Sequence, residues 1–323
     1  APGALALPLT ALGGALGLFA ALVVATLLAT GGAFDYPLDD PYIHLALAEQ
    51  IAAGTYGINA GEVSSPGSTP LFPQLLTPLA GTSLQRFLPA VWNIVGLGAS
   101  AWIWGRLLVE AGYGRDGWRV PGVLLAAFGP VLLLMPQVAF LGMEHALHAA
   151  AALAIVLGLH RHLTGQRAGG VALILIGALL ASAVRFEGMG FGLFAGIALF
   201  FNGKRGAGLL AALSAFLPVA LFMGFLAALG LDPAPSSVQV KLGDGAMTGD
   251  HWMARFLLDF LREIRVPGAI LIAALAGGLF LAWRLWPGTR ASGLGPLVLA
   301  LVAAGLAHLA VGQIGWANRY EHY

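Results

Sequence analysis

The sequence predicts an all-α polytopic membrane protein, on three observations. Residues are 59% hydrophobic and only 10% charged over 323 positions, with a mean hydropathy of +0.85, well beyond the usage of soluble domains. About nine apolar stretches recur along the chain, and the few charges between them separate by sign from one link to the next. The stretches fall at 7–30, 87–108, 120–139, 144–160, 170–184, 188–202, 206–230, 266–285 and 292–314. Several are shorter than the roughly 20 residues that cross a hydrocarbon core. The first has no charge and no basic segment before it, which argues for a span over a cleaved signal peptide. A net charge of +1 gives no electrostatic reason to expect nucleic acid. Zero cysteines exclude disulfides and thiolate metal sites.

Orientation follows from the basic residues, which accumulate in cytoplasmic links. With a cytoplasmic N-terminus, the inner links hold Arg115 and Arg119, Arg161 and Arg167, Lys204 and Arg205, then Arg284 and Arg290, with Arg106 just inside the second span. Their only acids are Glu110 and Asp116. Every other acidic residue falls on the opposite side, in the first outer loop, at Glu144 and Glu187, in the outer loop at 231–265, and at Glu321.

The first outer loop, 33–69, is the most informative stretch. From Phe34 to Pro73 the sequence has five acidic residues and no Lys or Arg. Asp40 as N-cap, Pro41 at the first helical position and Gly54 at the C-terminal cap predict a short helix. Its Tyr42, Ile43, Ala46, Leu47 and Ile51 recur at helical spacing, which predicts an amphipathic helix lying along the membrane surface. Asp39 and Asp40 then sit at its positive end. The apolar piece at 69–80, broken by Pro70, Pro73 and Pro78, is too short to cross and is expected as a re-entrant or interfacial helix. Residues 250–265, with His251, Trp252, Arg255, Arg262 and Arg265, are expected as a second interfacial helix.

Charged residues near membrane depth are costly and face a cavity or a partner. Here they form clusters at outer span ends: Gly142-Met143-Glu144-His145, Arg185-Phe186-Glu187-Gly188, Pro235 to Lys241, and Arg319-Tyr320-Glu321. Each has a bland reading and a functional one. Asp40 is an N-cap or a catalytic base; Arg185 and Glu187 are an interfacial ion pair or substrate contacts; Glu144 is a first-turn residue favoured by the helix dipole or part of a site. His44, one turn after Asp40, is a polar-face histidine or a metal ligand with Asp39 and Asp40. Two adjacent carboxylates in a confined site favour a base or a cation ligand. No P-loop, GxSxG elbow, HExxH or dinucleotide fingerprint is present.

The run Asp39-Asp40-Pro41-Tyr42-Ile43-His44-Leu45, with Ala48-Glu49, Gly54, Tyr56-Gly57, Asn59, Gly61-Glu62 and Ser68-Thr69-Pro70-Leu71, resembles the first outer loop of bacterial GT-C glycosyltransferases. The nearest by pattern are arabinofuranosyltransferase-like members that use polyprenyl-phosphate sugars. The resemblance continues in order through the later clusters and so covers most of the chain. It implies a single GT-C-type transmembrane domain over 1–323, with outer juxtamembrane helices, in the bacterial cytoplasmic membrane. The chain is expected to continue beyond Tyr323.

By that resemblance the protein is an inverting transferase. It moves a sugar from a polyprenyl-phosphate donor to an extracytoplasmic glycan or lipid acceptor. Asp40 is then the general base and Asp39 orients it or helps hold a divalent cation such as Mg or Mn. Arg185, Lys241 and Arg319 would neutralise the departing phosphate. Glu144, Glu187, Tyr42, His44 and Tyr320 would contact sugar hydroxyls or hold those cations in place. Pro41, His145, Phe186 and Ser236 depart from the family pattern and bear on sugar and acceptor choice. A transporter or flippase of lipid-linked saccharides is the competing class.

Overall fold

The computed structural model describes residues 3–311 apart from 116, 118, 166–168, 237–266 and 289–291. The described residues form an all-helical bundle in which α1 (Gly3–Ala29), α4 (Leu88–Glu110), α7 (His145–Leu163) and α10 (Arg205–Ala228) are the long members. Two more elements complete a set of six long and apolar enough to cross a membrane: the segment Arg119–Phe140 and the helix from Pro267, here α11 (Pro267–Leu285). Three further apolar helices are shorter: α8 (Gly170–Val184), α9 (Gly188–Phe201) and α12 (Gly295–Val311). A multi-pass helical membrane protein is thus the architecture, with six full-length candidates where the hydropathy pattern predicts nine spans.

The shortfall has a physical consequence. At 1.5 Å per residue, the 15 residues of α8 and 14 of α9 cover about 21–23 Å, against a core of roughly 30 Å. The tight link between them, Arg185 to Glu187, meets the start of α7 at Glu144. The 120–139 span is also interrupted. It divides into α5 (Arg119–Leu132) and α6 (Met135–Phe140), because Leu134 adopts a left-handed conformation (φ 54°) just before Pro136.

Small residues bring the helices together, since dispersion rather than hydrophobic exclusion holds helices in lipid. Gly96 of α4 lies against the backbone of Ala146 in α7, and Gly177 of α8 against Ala151 in α7. Gly188 abuts Ala181, and Gly196 abuts Gly208 of α10. Two cores result, one among α1, α4 to α6 and α7, the other among α7 to α10 and α12.

Alternation of these helices puts the N-terminus of α1 and the C-terminus of α4 at one end. There Glu110, its side chain 5% exposed, accepts two hydrogen bonds from Arg161 (Nε 2.9 Å, Nη2 2.7 Å) and lies 3.3 Å from His160. This buried link ties α4 to α7. Arg106, Arg119, Lys204, Arg205 and Arg284 lie toward the same end of their helices.

The opposite end carries the acidic loop. Its helix α2 (Asp40–Ala52) closes as the capping residues predict: Gly54 has φ 83°, its N–H donates to Ile51, and that of Thr55 donates to Gln50 at 2.9 Å. These two bonds satisfy the last carbonyls. Three expectations need correction. The cap position falls on Asp39, with no side-chain capping bond, and Asp40 is the first helical residue. The buried face is Pro41, His44, Leu45, Leu47 and Ala48, while Tyr42 and Ile43 point outward. On this face Leu45 and Ala48 pack on Phe72 and Leu76. Nor is 69–80 one helix. Only α3 (Phe72–Leu75) forms, because Pro78 lacks the N–H that a continuing turn would use.

Packing predicts an asymmetry among glycines. Gly96→Leu should cost about 1–3 kcal/mol by forcing α4 from α7, whereas Gly17→Ala, with no atom within 4 Å of the added carbon, should leave thermal unfolding in detergent unchanged.

Candidate functional site

The site begins with a problem of burial. Arg185 is 4% exposed and Glu144 is fully buried, and neither charge is tolerable there alone. The backbone solves it by ending α8 at Arg185, which turns to an extended conformation (φ −148°, ψ 142°), and by starting α7 directly after Glu144. Arg185 Nη1 then donates to Glu144 Oε1 at 2.6 Å, and Nη2 donates to Glu187 Oε1 at 2.9 Å. One guanidinium thus holds two carboxylates from two different links.

Histidines complete the cluster. His44 Nε2 of α2 stands 3.7 Å from Glu144 Oε2, and His145 Nε2 stands 3.4 Å from Arg185 Nη1. The His44 ring also meets Phe72 edge-on at 5.4 Å. Burial pushes the His44 imidazole below its ordinary pKa, and Arg185 pushes the same way, against the opposing pull of Glu144 and Asp40. His44 is accordingly a neutral ring with one donor and one acceptor. His148, one turn beyond Glu144, is also fully buried, and its ring meets Phe191 at 5.7 Å.

The loop is fastened over this cluster from several sides. Tyr36 donates its hydroxyl to the Arg86 carbonyl at 2.8 Å and accepts from the Ala90 N–H at 3.0 Å. Burial raises the pKa of this phenol, so it remains a donor. Arg86 pairs with Asp35 at 3.6 Å and donates to the Phe34 carbonyl. Tyr42 lies outward, its hydroxyl 3.3 Å from Asp35. Farther on, the Leu71 N–H donates to the Ala183 carbonyl at 2.8 Å, close to Arg185. Ser236 donates both its N–H (3.1 Å) and its hydroxyl (2.7 Å) to the Ser65 carbonyl.

The sequence-predicted residues therefore divide into three groups. Glu144, Arg185, Glu187 and His44 converge. Asp40, half-buried, lies one helical turn from His44 and within its electrostatic reach, while Asp39 is exposed. Lys241, Arg319 and Tyr320 lie outside the described residues, as do Glu321, Arg167, Arg290, Asp116 and the 250–265 segment. Among the described residues no group of three or more His, Asp or Glu side chains is arranged to hold a metal ion.

Pro41 is buried in the first turn of α2, Phe186 packs with Phe222 at 6.0 Å, and Ser236 fastens the loop. His145 instead joins the charged cluster. Sequence reasoning missed His148, whose signal was its spacing of four from Glu144, and the Glu110–Arg161 link, whose signal was an acid at a span end on the basic side.

No family model matches this chain, and neither a curated protein nor a solved structure is similar to it.

Two outcomes follow from the geometry. Arg185→Met strands Glu144 in the interior and should cost about 3–5 kcal/mol, whereas Arg185→Met with Glu144→Leu and Glu187→Gln should recover most of it. Thermal unfolding of the purified variants compares them. For His44, the unfolded ring binds a proton near pH 6.5 and the folded ring resists it, so the unfolded state takes up more protons as pH falls. Stability should hold above about pH 6.5 and decline below it. A melting curve series from neutral to acid pH should show that slope, reduced in His44→Gln.

Proposed function

We propose that the protein is an extracytoplasmic membrane glycosyltransferase using a polyprenyl-phosphate sugar. The observation that supports this best is that α2, whose first turn carries Asp40, reaches the buried Glu144–Arg185–Glu187 cluster through His44. A general base and a counter-charge for a leaving phosphate would then share one recessed mouth.

Asp40 takes the acceptor hydroxyl proton as the acceptor oxygen attacks the anomeric carbon. The bond from that carbon to the phosphate oxygen breaks, and the polyprenyl phosphate leaves with the electron pair. Glu144 is fully enclosed, while the Glu187 side chain is 29% exposed. Glu187 is therefore the carboxylate that the donor phosphate displaces from Arg185, with Lys241 and Arg319 as further cations. Tyr42 contacts sugar or acceptor, a role the resemblance also implies for Tyr320, and Asp39 orients Asp40 or shares a divalent cation with it. The segregation of basic residues supports placing this mouth outside the cytoplasmic membrane.

A carrier of lipid-linked saccharides is the second reading. It is favoured by the depth of His148 and Glu144 within the bundle.

Purified protein in lipid, incubated with radiolabelled polyprenyl-phosphate sugars and membrane-derived acceptors, separates the two. Transfer should occur and fall by about 10²–10⁴ in Asp40→Asn, with donor binding largely kept. Lipid-linked sugar crossing vesicles without any new glycosidic bond would replace the transferase with the carrier. Undiminished transfer in Asp40→Asn would remove the base assignment.

A further inference from the structure

The opposite end of the bundle holds a charge imbalance that the acidic loop and the Arg185 cluster do not touch. Glu110 ends α4, and its carboxylate gathers three basic side chains from two helices. Arg161 donates Nε (2.9 Å) and Nη2 (2.7 Å) to Oε1, Arg106 Nη2 stands 3.5 Å from that same oxygen, and His160 Nδ1 lies 3.3 Å from Oε2. Two guanidiniums, which stay charged at any working pH, thus share one carboxylate. One positive charge is left over, and neither arginine has a second acidic partner among the described residues.

That surplus faces outward. The side chains of Arg106 and Arg161 are 30% and 21% exposed, against 5% for Glu110, so the acid fixes both cations from the protein side. Arg161 spends Nε and Nη2 on Glu110 and Arg106 turns Nη2 to it. Nη1 of each arginine and Nε of Arg106 make no hydrogen bond among the described residues. Charges at the edge of a membrane span are costly without a partner, and paired guanidinium forks match the oxygens of a phosphate.

Helix spacing shows what lies next to that phosphate. Trp102 and Ile103 precede Arg106 by four and three residues in α4, so they share its face one turn farther from the end. Trp102 is exposed and Ile103 half-buried. An apolar face that runs into two cations at the end of a membrane-crossing helix matches both halves of a phospholipid, acyl chain and headgroup. A soluble phosphate would use the cations alone. Lys204, at the same end, is exposed and has no ion pair among the described residues, which makes it an ordinary solvated cation.

We infer that Arg106 and Arg161, held by Glu110 at the seam of α4 and α7, bind the phosphate of an anionic phospholipid in the leaflet at the basic end of the molecule. The lipid supplies the missing negative charge and lies along Trp102. Its site is remote from the acidic loop, so it serves a transferase and a carrier equally.

Native mass spectrometry of the full chain in detergent, titrated with phosphatidylglycerol, phosphatidylcholine or soluble glycerol phosphate, tests it. Phosphatidylglycerol should bind about tenfold more tightly than phosphatidylcholine, and glycerol phosphate far more weakly than either. Arg106→Gln keeps both bonds from Arg161 to Glu110, so it should melt with the wild type in lipid-free detergent while the preference for phosphatidylglycerol falls about tenfold. Trp102→Ala, on an exposed face, should weaken phosphatidylglycerol severalfold, and Lys204→Gln should bind as the wild type does. A preference kept in Arg106→Gln overturns the site. Equal losses in Arg106→Gln and Lys204→Gln do the same, by reducing it to diffuse surface charge. Glycerol phosphate binding as tightly as the lipid, with Trp102→Ala without effect, replaces the lipid with a soluble phosphate. Should Arg106→Gln fail to fold, the contrast between Trp102→Ala and Lys204→Gln decides.

Discussion

The buried contact between Arg185 and Glu144 is the constraint on which the rest of this end of the molecule depends. At 2.6 Å, with side chains 5% and 0% exposed, neither partner can be satisfied by water. Each must be delivered by backbone to the same point. That requirement explains why α8 stops at Val184, why Arg185 leaves the helix in an extended conformation, and why α7 begins directly after Glu144. Such pairs are not strong sources of stability, because desolvation offsets their attraction. What they supply is geometry, and here it aligns α7, α8, α9 and, through His44, the acidic loop.

Small residues and the loop enclose that contact. Gly188 brings the α8–α9 junction against Ala181. Buried charges need a roof. The loop supplies one by packing Leu47 and Tyr56 on Phe222 and Leu226 of α10, and Leu45 and Ala48 on Phe72 and Leu76. His44 reaches from this roof to Glu144. At the other end Glu110 and Arg161 link α4 to α7.

Local chemistry was legible in the sequence, and tertiary choice was not. The start and stop of α2 follow from Asp-Pro and Gly54, whose effects act within a turn, so they emerge within a residue of expectation. Its buried face does not, because Tyr42 and Ile43 are as apolar as Leu45 and Ala48. Only the position of Phe72 and Leu76 decides between them. The grouping of Glu144, Arg185 and Glu187 could be foreseen from charge at span ends. That Arg185 would be shared by both carboxylates could not, since hydropathy says nothing of rotamer or reach. Six of the nine apolar stretches form helices of full crossing length and three form shorter ones, a distinction that apolar patterning does not draw.

The most direct measurement is a structure of the full protein bound to a non-transferable polyprenyl phosphonate sugar in lipid. The account predicts the phosphonate against Arg185 with Glu187 displaced, and the sugar beside Asp40. A phosphonate seated away from the Arg185 cluster, with Glu187 still on Arg185, would contradict it.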